Sequence, residues 1–343
     1  MAKKKVKSSP SAGELIGSLR AKKMSWDDIT YEVNNQLGLG YTKGTIIAIA
    51  HRDGLVTSPQ KEARYERYAL PHNPAGFKDE LEEMYLRLTS YKEMANLVAV
   101  ATKEEWVDVF AVGDIHLGHR LCDFARVKKY LDYIEQADNT YCFLMGDLME
   151  CAQRNSVGRG QDEELINADQ QYDVICRLLK PLAKKGKILW AHIGNHEGRI
   201  PKNASFDVMQ KLFDDILEVP YLDFEGFTIV RVNDVEYTFY THHGWGSART
   251  KAGKIKKLDE MTYWNEADIY GMGHTHELFQ GFANQRYVNP ETLEVGMRKR
   301  PIMLTGSFLK YGGYISAHAF PPSSLGCSKV ELNSKRKKTF IRE

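Results

Sequence analysis

Residues 106–119 read Trp-Val-Asp-Val-Phe-Ala-Val-Gly-Asp-Ile-His-Leu-Gly-His. The apolar run Val107–Val112 stops at Gly113, and a carboxylate and an imidazole follow at once, Asp114 and His116. Such a run is short for a helix and rich in β-branched and aromatic residues, so it reads as a buried strand with a polar loop at its carboxyl end. In open α/β sheets that end is where ligands bind. The same texture returns four times. Tyr141–Met145 leads into Gly146-Asp147, and Ile188–Ile193 into Gly194-Asn195-His196-Glu197. A hairpin, Phe227–Val232 and Val235–Tyr240 with its turn at Asn233-Asp234, leads into His242-His243-Gly244. Ile269–Met272 leads into Gly273-His274-Thr275-His276, and Ile302–Leu304 adds a last strand. Helical stretches near 124–136, 165–184 and 204–217 separate the first strands. Strands alternating with helices and then hairpins predict a layered α/β fold, central mixed β-sheets flanked by helices.

Five loops carrying oxygen or imidazole donors point to one shared site. Two Asp, an Asn and several His, without thiolate, suit one or two divalent ions such as manganese, iron, zinc or magnesium. In Asp114-x-His116 and His274-x-His276, alternate residues of an extended backbone point the same way, so each pair reaches a common centre. Glycines beside them let the backbone turn sharply and approach an ion. Two metals about 3.5–4 Å apart clamp the attacking and leaving oxygens of a phosphoryl group.

The ordered series D-x-H, G-D, G-N-H-E, H-G, G-H-x-H resembles the calcineurin-like metallophosphoesterase superfamily over about residues 106–320. The resemblance implies that Asp114, His116, Asp147 and His276 hold one metal. Asp147 then bridges to a second, completed by Asn195, His243 and His274. It further implies that a metal-bound hydroxide attacks phosphorus in line while His196 protonates or stabilises the leaving oxygen. The family's ligand precedes the glycine, which favours His243 over His242. His119 reads either as a phosphate contact or as a residue of the rim. Glu197 and Arg154 read as ordinary solvated side chains, and His51, His72, His192 and His318 match no motif. Asp114-Ile115-His116-Leu117-Gly118 resembles the first motif of SbcD-type DNA exonucleases.

The chain has 343 residues, 43% hydrophobic and 27% charged, enough for two domains with sizeable cores. Three parts are expected: residues 1–58, a small all-α helix-turn-helix-like domain; 59–105, a helical linker; and 106–343, the phosphoesterase domain. Ser11–Ala21, a helix opening at Ser25-Trp26-Asp27-Asp28, and Thr45–Arg52 form the first. The stretches Met24–Ile29 and Ile46–Leu55 are similar to the GcrA type of DNA-binding regulator. That likeness implies Lys43, Thr45, His51 and Arg52 on DNA, with the basic tail Lys3–Lys7 on phosphates. Arg249, Lys251, Lys254, Lys256 and Lys257 follow His243 with no acid among them; Arg249 and Lys251 are candidate substrate contacts.

The architecture, with Gly306-Ser307-Phe308 near its end, resembles proteins encoded by phages or prophages. Five cysteines without a C-x-x-C pair read as idle thiols of a reducing cytosol. No apolar run reaches the ~18 residues of a spanning helix, and no signal core follows the basic N-terminus. A cytoplasmic, dinuclear-metal phosphoesterase acting on phosphodiesters, DNA foremost, with manganese first among its metals, is therefore expected. The alternatives are a phosphomonoesterase for a nucleotide or phosphoprotein, and a DNA-binding assembly protein built on an inactive phosphoesterase scaffold.

Overall fold

A computed structural model describes residues 11–22, 24, 26–37, 46, 50, 82, 94–154, 156, 160–204, 207–217 and 219–341. The chain divides into two compact units, Met1–Ala95 and Asn96–Glu343.

In the first unit, α1 (Ala12–Ala21) and α2 (Trp26–Leu37) form where the apolar spacing predicts helices. Ser11 caps α1: its hydroxyl accepts the Glu14 N–H, and the Glu14 carboxylate accepts the Ser11 N–H at 2.8 Å. Leu15, Ile16 and Leu19 bury against Ile29 and Val33, joined by Ile46 and Ala50. Lys43, Thr45, His51 and Arg52, expected to face DNA, lie outside the described residues, as do Lys3–Lys7.

The second unit starts with β1 (Asn96–Val100) and β2 (Trp106–Val112). Then come α3 (Phe124–Gln136), β3 (Thr140–Leu144), α4 (Ala168–Lys184) and β4 (Ile188–Ala191). Two short helices, α5 (Arg199–Ala204) and α6 (Val208–Leu212), precede the hairpin of β5 (Glu225–Val232) and β6 (Val235–His242). After α7 (Lys251–Trp264) follow β7 (Ile269–Met272), β8 (Leu278–Val288) and β9 (Val295–Ser307). The rest is α8 (Gly313–Ala317), β10 (Gly326–Cys327), β11 (Lys329–Asn333) and β12 (Thr339–Phe340). One mixed sheet runs β1-β5-β6-β7-β9-β10, with β8 on β9; the other runs β12-β11-β2-β3-β4.

The two sheets bury a common core. Val107, Val109 and Ala111 of β2, with Phe143 and Trp190, meet Val230, Val232, Tyr237 and Phe239. The Phe143 and Trp190 rings stack at 4.4 Å. Alternation along β2 sends Phe110 and Val112 to the other face, against Val127, Leu131 and Ile134 of α3 and Ile175 and Leu179 of α4. Leu258 and Met261 of α7 cover Tyr240, Tyr270 and Leu304 on the outer face of the larger sheet. The order is helix, sheet, sheet, helix. Because β2, β3 and β4 run parallel, the loops after them leave from one edge.

Two elements differ from expectation. Residues 96–100, read as part of a helical linker, pair in parallel with β5, Asn96 opposite Thr228 through Val100 opposite Val232. The partner strand is remote in sequence, and local spacing carries no trace of it; the second unit thus begins at Asn96, not at residue 106. The helix expected over 204–217 restarts at Asp207, whose carboxylate caps the N–H groups of Met209 and Gln210, and ends in a π turn at Phe213–Leu217. No helix among the described residues is long and apolar enough to cross a membrane.

Candidate metal centre

The loops after β2, β3, β4, β6 and β7 converge on buried side chains. Nε2 of His276 lies 3.0 Å from Nε2 of His116 and 3.3 Å from Oδ1 of Asp114. Oδ2 of Asp147 lies 3.9 Å from Nε2 of His116 and 3.5 Å from Nε2 of His243. Oδ1 of Asn195 faces Nε2 of His243 at 3.1 Å and Nδ1 of His274 at 2.7 Å. Three ligand groups result: Asp114, His116 and His276; His116, Asp147 and His196; Asp147, His243 and His274. In each group the ligand atoms lie within 4.8 Å of one another.

Backbone strain marks the same residues. Asp114, His116, Asp147, His274 and His276 have φ between 47° and 65°, a left-handed region that side chains other than glycine adopt at a cost. The glycines allow the loops to touch. A Cβ on Gly194 would lie 2.0 Å from Oδ1 of Asp147, and one on Gly146 would lie 2.3 Å from the Gly194 nitrogen.

The donor set fits a divalent cation. Nδ1 of His116 donates to Glu150 at 2.9 Å, Nδ1 of His243 to the Met145 carbonyl at 2.6 Å, and Nε2 of His274 to the Gly246 carbonyl at 2.9 Å. Each outer nitrogen thereby holds its proton, and the lone pair of the other turns inward. These lone pairs meet the oxygens of Asp114, Asp147 and Asn195, and Oδ1 of Asp114 is buried without a hydrogen-bond partner. Acceptors converging on acceptors call for positive charge. A proton answers the same call: burial lowers the pKa of His243, but Asp147 overcomes it and raises the value to about 9. Asp147 itself is buried, yet His196 and His243 hold its pKa well below the usual carboxylate range.

His196 sits at the margin. Its backbone N–H donates to Oδ1 of Asp147 at 2.8 Å, and its Nδ1 donates to the Glu150 carbonyl at 2.9 Å. Against burial, Asp147 and Glu150 raise its pKa to about 9. The Arg199 guanidinium, 2.9 Å from its Nε2, opposes that charge.

Among the weaker expectations, His242 turns away, its Nδ1 accepting the Gly244 N–H at 2.7 Å. His119 is buried with its nitrogens facing protein groups: Nδ1 accepts the Leu121 N–H, and Nε2 lies 3.7 Å from Glu163. Arg249 is exposed over the Phe320 ring, and Lys251 lies 3.6 Å from Glu277. Acids absent from the Arg249–Lys257 stretch itself come from neighbours, since Lys254 also pairs with Glu277 and Lys256 with Glu260.

Glu197 corrects the reading of a solvated side chain. It is fully buried and accepts the N–H groups of Asp147 at 3.0 Å, Met149 at 2.8 Å and Gly194 at 3.0 Å. It thus ties the β3 loop to the β4 loop. Burial and the charge of Asp147 raise its pKa to about 7. Glu150 was missed altogether, although its place three residues after Asp147 in the same loop was a usable signal. His192, matching no motif, is buried between the Asp223 carbonyl and the Thr241 hydroxyl.

Residues 107–281 match the family model of calcineurin-like phosphoesterases, half of the chain. The chain belongs to this family. It is accordingly a metal-dependent hydrolase of phosphate esters, and the clustered His and Asp groups are those such a hydrolase needs for divalent metal. Among solved structures, zinc-complexed Vps29 from Entamoeba histolytica is 13% identical with a TM-score of 0.33, the match covering 67% of this chain and 88% of that one. A metallophosphoesterase from Sphaerobacter thermophilus is 13% identical with a TM-score of 0.33, covering 69% and 89%. Nuclease MPE from Pseudomonas putida is 12% identical with a TM-score of 0.30, covering 68% and 87%. Membership rests on the family match, not on these likenesses. No curated protein matches the chain.

Proposed function

We propose that this phosphoesterase is a dinuclear-metal phosphodiesterase acting on DNA. The position of Asp147 carries the dinuclear part: Oδ2 stands between His116 and His243, 3.9 and 3.5 Å from their inward nitrogens. In this reading Asp114, His116, Asp147 and His276 hold one ion, and Asp147, Asn195, His243 and His274 the other. Oxygen and nitrogen donors without sulfur suit manganese first, then iron, zinc or magnesium. When bound, the ions supply Lewis-acid polarisation of the phosphoryl oxygens and activation of the attacking water.

The chain's own residues do the rest. Nε2 of His196 accepts an Arg199 N–H here. Once Arg199 turns to the phosphoryl oxygens and a proton takes its place, His196 gives that proton from Nε2 to the leaving oxygen as the ester P–O bond breaks. Its hydrogen bonds to the Glu150 carbonyl and to Asp147 hold it for the transfer. Arg199, beside that nitrogen, balances phosphoryl charge. Glu150 orients both His116 and His196, lying 2.9 and 3.3 Å from their Nδ1 atoms.

What supports DNA over a small diester is sequence: the basic Lys3–Lys7 tail and the GcrA-like residues 24–55. The test is hydrolysis of bis-p-nitrophenyl phosphate, p-nitrophenyl phosphate, and single- and double-stranded DNA with manganese, on protein of measured metal content. Diester and DNA cleavage, with two ions bound, is the expected result. Faster monoester hydrolysis with no DNA cleavage moves the chain to the monoesterase reading. Tight DNA binding with metal near zero moves it to the scaffold reading.

A further inference from the structure

The β8–β9 hairpin begins two residues after His276 and runs well beyond the sheet that roots it. Eleven consecutive pairs join the two strands, Leu278 opposite Thr305 through Val288 opposite Val295. Only Arg300–Ser307 of β9 are uniformly buried; Val295, Met297, Phe282 and Val288 are 58%, 63%, 44% and 59% exposed. Among the described residues β8 pairs with β9 alone, so its other edge presents unpaired backbone N–H and C=O groups. Edges of this length are ordinarily blunted by charge, proline or a bulge. Here β8 has no proline, one charge, Arg286, and an unbroken register.

We infer that this edge pairs with β8 of a second copy of the chain. A two-fold axis perpendicular to the ribbon makes β8 antiparallel to itself, and each choice of central residue defines one register. Centred on Gln285, Phe282 meets the partner's Val288, Ala283 meets the partner's Tyr287, and Asn284 meets the partner's Arg286. Aromatic lies opposite β-branched, small opposite large, and amide opposite guanidinium.

The register with β9 extends the match over four strands. Val295 and Val288 continue into the partner's Phe282 and Pro301, an apolar row, and the two-fold axis repeats it at the other end. Between these rows lie Met297 and Arg286, continuing into the partner's Asn284 and Lys299. Centring on Arg286 sets like charges opposite each other; centring on Asn284 sets Val288 against an amide, the partner's Gln280. The Gln285 register is the one that joins both exposed apolar positions and leaves Arg286 facing a neutral group.

The experiment uses the full chain. Sedimentation equilibrium at tens of micromolar is expected to give a dimer. The Phe282→Lys/Val288→Lys variant, which sets like charges opposite each other, is expected to raise the dimer dissociation constant at least tenfold, with an unchanged thermal midpoint at dilutions where both chains are monomeric. Gln285→Cys lies on the axis, within reach of a disulfide to its own counterpart. It is expected to give a covalent dimer on mild oxidation, whereas Ala283→Cys and the unsubstituted chain do not. A monomeric unsubstituted chain overturns the inference, as does equal cross-linking at positions 283 and 285.

Discussion

Two stretches of the second unit meet at His276 and obey opposite rules. Before it, the loops after β2, β3, β4, β6 and β7 turn buried Asp114, His116, Asp147 and His243 towards one another, and five of their converging residues, Asp114, His116, Asp147, His274 and His276, are held in left-handed backbone. After it, β8 and β9 form a regular ladder whose far half is exposed on both faces. In the loops, each polar atom is specified by others, so small changes propagate; in the ribbon, each side chain answers mainly to its cross-strand neighbour. Strain persists only where surrounding structure over-determines it. The loops meet that condition through Glu197, Glu150 and the contacts between glycines.

The largest effect is expected at Asp147. Asp147→Ala is predicted to lose bound metal at both positions and all measurable turnover. His196→Ala is predicted to keep its metal and lose about 10²–10⁴ in rate. Elemental analysis of both variants separates them, and equal metal contents contradict the division of roles between ligand and proton donor. Gly194→Ala comes next, because its methyl would lie 2.0 Å from Oδ1 of Asp147; metal affinity and thermal midpoint should both fall, read by titration calorimetry and melting.

Glu197→Gln replaces one carboxylate oxygen by an amide that donates towards N–H groups. A loss of about 1–3 kcal/mol in denaturant unfolding is predicted, and an unchanged stability would break the clamp argument. His192 gives a pH test. Burial lowers its pKa from 6.5 to about 3, so the unfolded chain binds the proton more readily. Its stabilisation is complete above about pH 6.5 and is lost as pH falls towards 3. His192→Gln should flatten the fall in thermal midpoint between pH 7 and pH 5. The smallest effect belongs to the ribbon: Val288→Thr should change the protomer's stability by no more than about 0.5 kcal/mol. A large loss there would erase the contrast between the two stretches.

How far the sequence was legible follows the range of the interactions. Val107–Val112 and its four counterparts announce themselves because an apolar run and a polar loop are local facts. β1 did not, since Asn96–Val100 owes its strand to β5. Arg199 lay next to a motif without being marked as functional, because its meaning depends on His196, with which it shares a hydrogen bond only in the folded loop. His119 and Lys251 carried the right chemistry, and the fold gave them to Glu163 and Glu277.

The residues alone determined which donors exist and that each stands at a strand's end, because strand formation and loop chemistry are written in neighbouring positions. Tertiary structure decided which nitrogen of each histidine turns inward, that Glu197 is a buried clamp and not a surface acid, and how far the hairpin runs past its support. Those choices depend on groups brought together from distant parts of the chain, where burial and hydrogen-bond geometry, not local pattern, select the outcome.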